Sequence, residues 1–214
     1  MTLFENNYNY GAILQAHALQ KAIRSIGYDC KVLNYKRQVT DLTGIKQTKF
    51  EKLVNKLMGI QSKGDVINLL TYPFRKKWTE KNALDIQRRM KNCNSFIAKN
   101  IAVTRLLNSN TIYETNNQFD VFVCGSDQIW RPTTFDPNYF LAFVDKKKRA
   151  LSYAASLGIK QLSETEKRLM TPLVNHLDAI SVREASAVEL ISDLTNKEVT
   201  RVLDPTLLFD RDFW

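Results

Sequence analysis

Short apolar segments of β-favouring residues alternate with longer segments of helical periodicity over most of this 214-residue sequence. Strands are expected at 119–124, 149–155, 178–182 and 198–203, and helices at 163–177 and 184–194. When strands and helices alternate in this way, the strands pair in parallel and the helices cover the sheet. The sequence therefore predicts an α/β fold, a Rossmann-like parallel sheet wound with helices.

The opening of the sequence has the same rhythm. Apolar residues recur on one helical face over residues 12–26, Gly27 is placed to end that helix, and residues 29–35 alternate like a strand. Residues 1–4 resemble the end of a first strand. Because a central strand usually has about five to six residues, we expect the natural start to lie upstream of Met1.

Residues 36–110 differ from both flanks in charge. Over residues 36–105 there are 16 Lys or Arg against 5 Asp or Glu, so this segment holds all of the excess behind the net charge of +9. The segment has few strand-like stretches and fits two or three amphipathic helices, with Pro73 as a break. We predict a basic helical insertion at 36–110, within one Rossmann-like domain that spans 1–214.

The basic segment raises the question of nucleic-acid binding. Its aromatic residues Phe74, Trp78 and Phe96 fit the buried face of amphipathic helices better than a base-stacking surface. No nucleic-acid fold signature accompanies them, so no nucleic-acid partner is predicted. A solvated surface is the simplest interpretation, and peripheral contact with anionic lipid at the inner membrane face is the alternative.

The remaining composition indicates a cytoplasmic protein. No apolar run approaches the ~18 residues of a transmembrane helix, and no secretory signal pattern follows Met1. Cys30, Cys93 and Cys124 are odd in number and lack metal-like spacing, so neither a disulfide framework nor a metal site is predicted. The two histidines, His17 and His176, share no metal spacing with them.

Polar residues follow the apolar run of "FDVFVCGSDQIW" at once: Ser126, Asp127 and Gln128 come directly after Gly125. In wound parallel sheets, ligands bind beyond the carboxyl ends of the strands. Asp127 could therefore anchor or deprotonate a sugar hydroxyl. Alternatively, these three residues begin a helical turn without any role in binding.

Three further positions fall at predicted strand ends. Asn9 and Gly11, in "NNYNYG", precede a helix start that favours anions, although the pattern is neither GxGxxG nor a P-loop, and they could simply cap the helix. Ser156, in "SYAASLG", leaves room for a ligand, a second lobe or a packed helix. Arg183, in "SVREAS", could hold a carboxylate or phosphate, or pair with Glu184 or a loop acid.

Taken in order, six stretches resemble the polysaccharide pyruvyl transferase family: "NYGAILQAHALQKAIRSIGYDCKVLNY", "FDVFVCGSDQIWRP", "YFLAFV", "LSYAASLG", "SVREASAVELI" and "RVLDPTLLF". The resemblance implies one lobe of a two-lobed GT-B-type enzyme that acts in cell-surface polysaccharide synthesis. Such an enzyme transfers the enolpyruvyl unit of phosphoenolpyruvate to two hydroxyls of a sugar or lipid-linked saccharide as a ketal. No cofactor or metal is implied beyond phosphoenolpyruvate as donor substrate.

The same resemblance gives the strand-end residues tasks. Arg183 would grip phosphoenolpyruvate, and Asp127 would orient or deprotonate the acceptor hydroxyl. The other candidate substrate-binding residues along the same cleft are Asn9, Gly11, Ser126, Gln128 and Ser156.

The chain departs from the family at its end. In the family, a second lobe supplies an Arg-x-His motif whose histidine looks like the general acid, and these 214 residues contain no such motif. We therefore expect an N-terminal lobe, with the second lobe absent, that is inactive alone. Two alternatives stay open: a non-catalytic module that binds sugars or anions, and a glycosyltransferase lobe that uses a nucleotide sugar.

Overall fold

The computed structural model describes residues 9–37 and 82–214, which form an α/β fold. Its helices are α1 (Tyr10–Ser25), α2 (Ala83–Asn100), α3 (Glu164–His176) and α4 (Ala185–Ser192). Its strands are β1 (Val32–Tyr35), β2 (Val103–Leu107), β3 (Val121–Cys124), β4 (Arg149–Ser152), β5 (Ile180–Val182) and β6 (Val199–Arg201). Short 3-10 helices follow β2, β3 and β6.

Strand pairing within the described residues is parallel. β1 pairs with β2, β3 with β4, and β5 with β6. Isolated parallel bridges, Leu151 with Ala179 and Ala155 with Val182, connect β4 to β5. β3, β4, β5 and β6 therefore lie side by side in chain order, and their carboxyl ends share one edge.

The predicted elements of the α/β rhythm are present, but the strands are shorter than predicted. The strand expected at 149–155 ends at Ser152, because Ala154 has a φ of 50°, which interrupts an extended backbone. At the other end of the chain, Gly27 follows α1 with a φ of 93° and donates its N–H to the Arg24 carbonyl, as expected of a glycine that ends a helix.

The helical description of residues 36–110 needs correction at its end. Helix α2 lies in that segment, but residues Val103–Leu107 form strand β2, which pairs with β1. The β-branched residues Val103 and Thr104 favour this conformation, and the surrounding basic residues obscured the signal. Residues 38–81, with Phe74 and Trp78, and residues 1–4 lie outside the described residues.

Two groups of buried apolar residues stabilise the fold. The main core runs under all of the later strands and includes Trp130, Phe140 and Met170, together with Tyr35 of β1. A small core lies between α1, α2 and β1; its residues are Ile13, Ala16, Val32, Cys93 and Ile101, with Phe96 and Ile97 packed against them. Phe96 thus lies on the buried side of α2, as its helical spacing predicts. Across residues 9–37 and 82–214, the helices are too short or too polar to cross a membrane.

Candidate functional site

Three parallel strands deliver the candidate residues to one edge of the sheet. Ser126 follows β3, Ser156 follows β4, and Arg183 directly follows β5. A fourth residue, Asp204, follows β6 at the start of a 3-10 helix. Because the carboxyl ends of parallel strands meet at the same edge, side chains far apart in sequence lie within hydrogen-bond distance here.

The turn after β3 requires a glycine. Gly125 has a φ of 118°, and a Cβ at this position would lie 1.9 Å from the carbonyl oxygen of Tyr153. This close approach places Ser126 in the interior, where it is fully buried. Its N–H donates to Gln15 Oε1 of α1 at 3.1 Å, and its Oγ donates to Asp204 Oδ2 at 3.0 Å.

Asp204 is the acceptor at the centre of the cluster. Its Oδ2 accepts from Arg183 Nη1 at 3.0 Å as well as from Ser126, and its Oδ1 accepts from the N–H and hydroxyl of Thr206 at 3.0 and 2.8 Å. Burial alone would raise the pKa of Asp204, but the hydrogen bonds from Thr206, Arg183 and Ser126 outweigh it and lower the pKa. The aspartate therefore stays ionised at neutral pH.

Arg183 lies between two carboxylates. Its Nε donates to Glu184 Oε1 at 3.1 Å, on the side opposite the bond to Asp204. Burial alone would lower the pKa of Arg183, but the hydrogen bonds and charges of Asp204 and Glu184 outweigh it and raise the pKa. Ser156 Oγ donates to the same Glu184 oxygen at 2.7 Å, so Ser156 joins the cluster through Glu184.

The hydrogen bonds thus connect Ser126, Asp204, Arg183, Glu184 and Ser156 in one continuous series. The ion pair that the sequence left as an alternative for Arg183 is present, and it fixes the plane of the guanidinium. Within the described part of the chain, no hydrogen bond reaches Nη2 of this side chain. A ligand anion could therefore use Nη2 without breaking the cluster.

Asp127 and Gln128 lie beside the cluster rather than in it. Asp127 has a φ of 95°, which is uncommon for a residue with a side chain, and its backbone bridges to Ala155. Its Oδ1 accepts from the Gln128 N–H at 2.8 Å. The Gln128 side chain is exposed and packs against Gly158, where a Cβ would lie 2.7 Å from the Gln128 Cδ. Both side chains are accessible from the strand-end edge.

Asn9 and Gly11 lie at the start of α1. Asn9 is the N-cap, and its side-chain oxygen accepts from the Gly11 N–H at 3.0 Å. The capping role that the sequence allowed is therefore present. The connection between this helix and the cluster passes through Gln15, which holds the Ser126 N–H. No described hydrogen bond joins Asn9 or Gly11 to the Arg183 cluster.

A sequence model of one protein family, polysaccharide pyruvyl transferase, matches residues 9–214. No curated protein matches the chain, and no solved structure does. The match covers the cluster and all of the described elements, as the six stretches of sequence suggested. The chain belongs to the polysaccharide pyruvyl transferase family.

Family membership makes two residues of the cluster worth noting, because sequence reasoning gave neither a role in the site. Asp204 precedes Pro205 after a predicted strand and was given no role, and Glu184 was named only as a possible ion-pair partner of Arg183. In this pyruvyl transferase family member, both carboxylates hold the arginine in place. The signal available in the sequence was an acidic residue after each of two predicted strands, Glu184 and Asp204, with Arg183 beside the first of them.

Among the described residues, the site contains no set of side chains that could bind a metal ion. Within residues 9–37 and 82–214, no group of three or more His, Cys, Asp or Glu side chains could hold a metal ion. The Arg183 cluster presents a guanidinium held by two carboxylates, together with the hydroxyls of Ser126 and Ser156.

Proposed function

We propose that the chain is the N-terminal, Rossmann-like lobe of a GT-B-type pyruvyl transferase. It would help transfer the enolpyruvyl unit of phosphoenolpyruvate to a sugar, giving a pyruvate ketal in a cell-surface polysaccharide. Membership of the polysaccharide pyruvyl transferase family supports the reaction class and the saccharide acceptor. The observation that carries the donor assignment is Arg183, held by two carboxylates at the carboxyl edge of the strands.

The reaction makes two demands on the site. A proton is added to the methylene carbon of phosphoenolpyruvate, and a sugar hydroxyl oxygen forms a bond to the neighbouring carbon, which carries the developing positive charge. The carbon–oxygen bond to phosphate breaks, and the second hydroxyl of the sugar closes the ketal as inorganic phosphate leaves. The enzyme must therefore hold a donor with a carboxylate and a phosphate, and must accept protons from hydroxyls.

Arg183 meets the first demand in part. In this proposal its Nη2 hydrogen-bonds to the donor, while Asp204 and Glu184 keep the guanidinium from turning away. Asp204 and Glu184 already offset the positive charge of Arg183. Binding of the negatively charged phosphoenolpyruvate therefore needs further cations. We propose that a second lobe supplies these cations together with the histidine that acts as general acid, and that the described lobe does not complete the reaction alone.

Asp127 meets the second demand. Its backbone bridges to Ala155 at the strand-end edge, and Oδ1 of its carboxylate accepts from the Gln128 N–H. In this proposal it accepts the hydrogen bond of an acceptor hydroxyl and takes its proton when the oxygen attacks. Gln128, with its exposed amide, would hydrogen-bond a neighbouring sugar hydroxyl, and Ser126 and Ser156 would fix the shape of the floor. Asn9 and Gly11 would border the same cleft at the start of α1.

Titration of phosphoenolpyruvate into the purified chain, followed by calorimetry, tests the donor assignment. We expect Arg183→Ala to weaken binding at least tenfold, because the donor loses a charge-assisted hydrogen bond of about 1.5–3 kcal/mol. Arg168→Ala is the matched control, since Arg168 is exposed on α3 and forms no described ion pair. Equal affinity in the parent and Arg183→Ala proteins, with both folded, would remove Arg183 from the donor site.

Competition separates the alternative functions. A nucleotide-sugar glycosyltransferase lobe would bind nucleotide diphosphates, and these would displace phosphoenolpyruvate or bind in its place. A non-catalytic module would bind saccharide without binding phosphoenolpyruvate. An immunoblot of the native product in source cells then tests the need for a second lobe. A band larger than 24.7 kDa by the mass of about 100–200 residues would agree with a second lobe. A band at 24.7 kDa would favour the binding module.

We also propose that the protein is cytoplasmic and makes peripheral contact with anionic lipid at the inner membrane face. Exposed basic residues Arg88, Lys91 and Lys99 on α2 support this proposal. Sedimentation with vesicles checks it: binding should be stronger to anionic than to neutral lipid, and it should weaken with salt. Equal sedimentation with both lipids would contradict it.

A further inference from the structure

Tyr153 directly follows β4, at the edge of the sheet that carries the Arg183 cluster. Its N–H donates to the Cys124 carbonyl of β3 at 2.8 Å. Its own carbonyl oxygen lies so close to Gly125 that a Cβ on the glycine would be 1.9 Å from it. Because Gly125 precedes Ser126, the backbone of Tyr153 is held beside the β3 end of the cluster.

The other side of this segment adjoins β5. The Arg183 N–H donates to the carbonyl of Ala155, two residues after Tyr153, at 3.1 Å. Tyr153 therefore lies on the middle one of three neighbouring strand ends. Ser126 follows the strand on one side of it, and Arg183 follows the strand on the other side.

The Tyr153 side chain lies on the face of the sheet that α1 covers. Leu151 of β4 lines the same cavity as residues of α1, and side chains two residues apart along a strand lie on the same face. The 3-10 helix Pro205–Leu208, whose N-cap is Asp204, packs against α1. Tyr153 and Asp204 are thus on the same side of the sheet.

The hydroxyl of Tyr153 stays protonated at neutral pH. Burial raises its pKa, and the nearby negative charge of Asp204 raises that pKa further. The side chain is only half-buried, and within residues 9–37 and 82–214 its hydroxyl takes part in no hydrogen bond. It is therefore a hydrogen-bond donor that a ligand can reach.

Asp204 cannot accept this proton without losing a partner. Its Oδ2 accepts from Ser126 and Arg183, and its Oδ1 accepts twice from Thr206. Each carboxylate oxygen already has two donors, which is the number that its lone pairs allow. The acceptor for the Tyr153 hydroxyl must come from a ligand or from solvent.

We propose that the Tyr153 hydroxyl donates a hydrogen bond to an anionic oxygen of phosphoenolpyruvate, in the same site as Arg183. The inference rests on the proposed function. Asp204 and Glu184 offset the charge of Arg183, and a neutral hydroxyl adds a bond to the anion without adding a further buried charge. The anionic oxygen belongs to the carboxylate or to the phosphate, since both accept from a phenol in the same way.

Titration calorimetry with three anions on the intact chain tests the proposal. Phosphoenolpyruvate carries both anionic groups, pyruvate carries only the carboxylate, and inorganic phosphate carries only the phosphate. We expect Tyr153→Phe to weaken phosphoenolpyruvate binding about tenfold, and to weaken binding of whichever smaller anion accepts from the hydroxyl. Tyr113→Phe is the matched control, because Tyr113 is 56% exposed and lies in the 3-10 helix after β2. It should bind all three anions as the parent does.

Thermal denaturation supplies a second measurement. Tyr153→Phe should keep the melting temperature of the parent, because the hydroxyl has no partner among the described residues. A lower melting temperature would overturn the proposal, since the hydroxyl would then be bonded within the protein.

The outcomes separate this proposal from the proposed function. Equal phosphoenolpyruvate binding by the parent and Tyr153→Phe would overturn the role of Tyr153 and leave the donor assignment in place. If the parent bound pyruvate or phosphate but not phosphoenolpyruvate, a loss of that binding in Tyr153→Phe would support the role of Tyr153 and contradict the donor assignment. A parent that bound none of the three anions would contradict both. A loss seen in Tyr153→Ala but not in Tyr153→Phe would overturn the proposal and assign the effect to the ring.

Discussion

The β1–β2 pair and the strands β3 to β6 form two sides of the molecule that are built differently. On one side, β3 and β4 pair without irregularity from Val121 with Arg149 to Cys124 with Ser152. On the other side, the register of β1 and β2 shifts after Val32, and the Asn34 N–H donates to the Thr104 hydroxyl at 3.1 Å. The Arg183 cluster lies entirely on the regular side, after strands β3 to β6.

Side chains make up for the irregular pairing of β1 and β2. Gln20 of α1 donates to the Cys30 and Ala102 carbonyls at 3.1 and 2.8 Å and accepts from the Ala102 N–H at 2.9 Å. At the carboxyl end of β1, the Tyr35 hydroxyl donates to Asp136 Oδ2 at 2.9 Å. A regular ladder of backbone hydrogen bonds between β3 and β4 thus gives the residues of the cluster the rigid support that a functional site needs. The β1–β2 side depends instead on individual hydrogen bonds from the side chains of Gln20 and Tyr35.

The largest effect is expected in the main core on the regular side. Trp130 is fully buried, stacks on Phe140 with ring centroids 5.0 Å apart, and donates Nε1–H to the Tyr139 carbonyl. We expect Trp130→Ala to lower the free energy of unfolding by about 4 kcal/mol, through lost burial and a cavity. Urea denaturation followed by circular dichroism measures it.

Trp214→Ala is the matched control, because Trp214 is 49% exposed and lies at the end of the chain. This change should cost less than about 1 kcal/mol. If the two tryptophan variants lost similar amounts of stability, the main core would not be centred on the regular side.

The next effect concerns the carboxylate that joins the strand ends. Asp204→Ala leaves Ser126 Oγ and Arg183 Nη1 without their acceptor. We expect a loss of about 3 kcal/mol, at the low end for a buried ion pair because the Asp204 side chain is 19% exposed. The exposed Asp212→Ala provides the control, and thermal denaturation of both variants measures the difference. A loss no larger than that of the control would show that the cluster contributes nothing to the stability of the regular side.

A smaller effect is expected on the irregular side. Gln20→Ala removes the hydrogen bonds to both Ala102 groups. The Ala102 carbonyl still accepts from the Val32 N–H, so we expect a loss of about 1–2 kcal/mol, mainly because the part-buried Ala102 N–H loses its acceptor. Lys21→Ala, at an exposed neighbouring position, is the control. Hydrogen exchange at Ala102 should accelerate in Gln20→Ala only. Unchanged exchange there would mean that the backbone pairing alone holds β1 and β2.

Local sequence pattern was sufficient to predict the elements of the regular side. The strands of the α/β rhythm and the glycine that ends α1 were predictable, because apolar alternation and turn residues are local signals. Strand β2 was not, since Val103 and Thr104 follow a basic helix and their partner strand is about 70 residues earlier in the chain. Pairing between distant strands leaves little trace in a single sequence.

The candidate site was predictable in its location but not in its connections. Ser126, Ser156 and Arg183 were expected at strand ends, and the structure brings them together. The carboxylate that joins them, Asp204, lies 21 residues after Arg183, and only the pairing of β5 with β6 brings the two together. Asp127 has a positive φ and bridges to Ala155, 28 residues later in the chain, so no local pattern could show where its carboxylate lies.

The smallest effect is a pH dependence that comes from the same carboxylate. The folded-state pKa of Asp204 lies below its ordinary value, because hydrogen bonds from Thr206, Arg183 and Ser126 outweigh burial. Its stabilisation is therefore complete above about pH 4, the ordinary pKa of an aspartate, and is lost as the pH falls through the folded-state pKa. We expect the stability difference between the parent and Asp204→Asn to be constant from about pH 7 to 5 and to shrink toward about pH 2. Urea denaturation at a series of pH values measures it, with the exposed Asp212→Asn as the control. A difference that stayed constant down to the lowest pH would mean that the charge of Asp204 adds nothing to the cluster, and the regular side would then depend on its ladder alone.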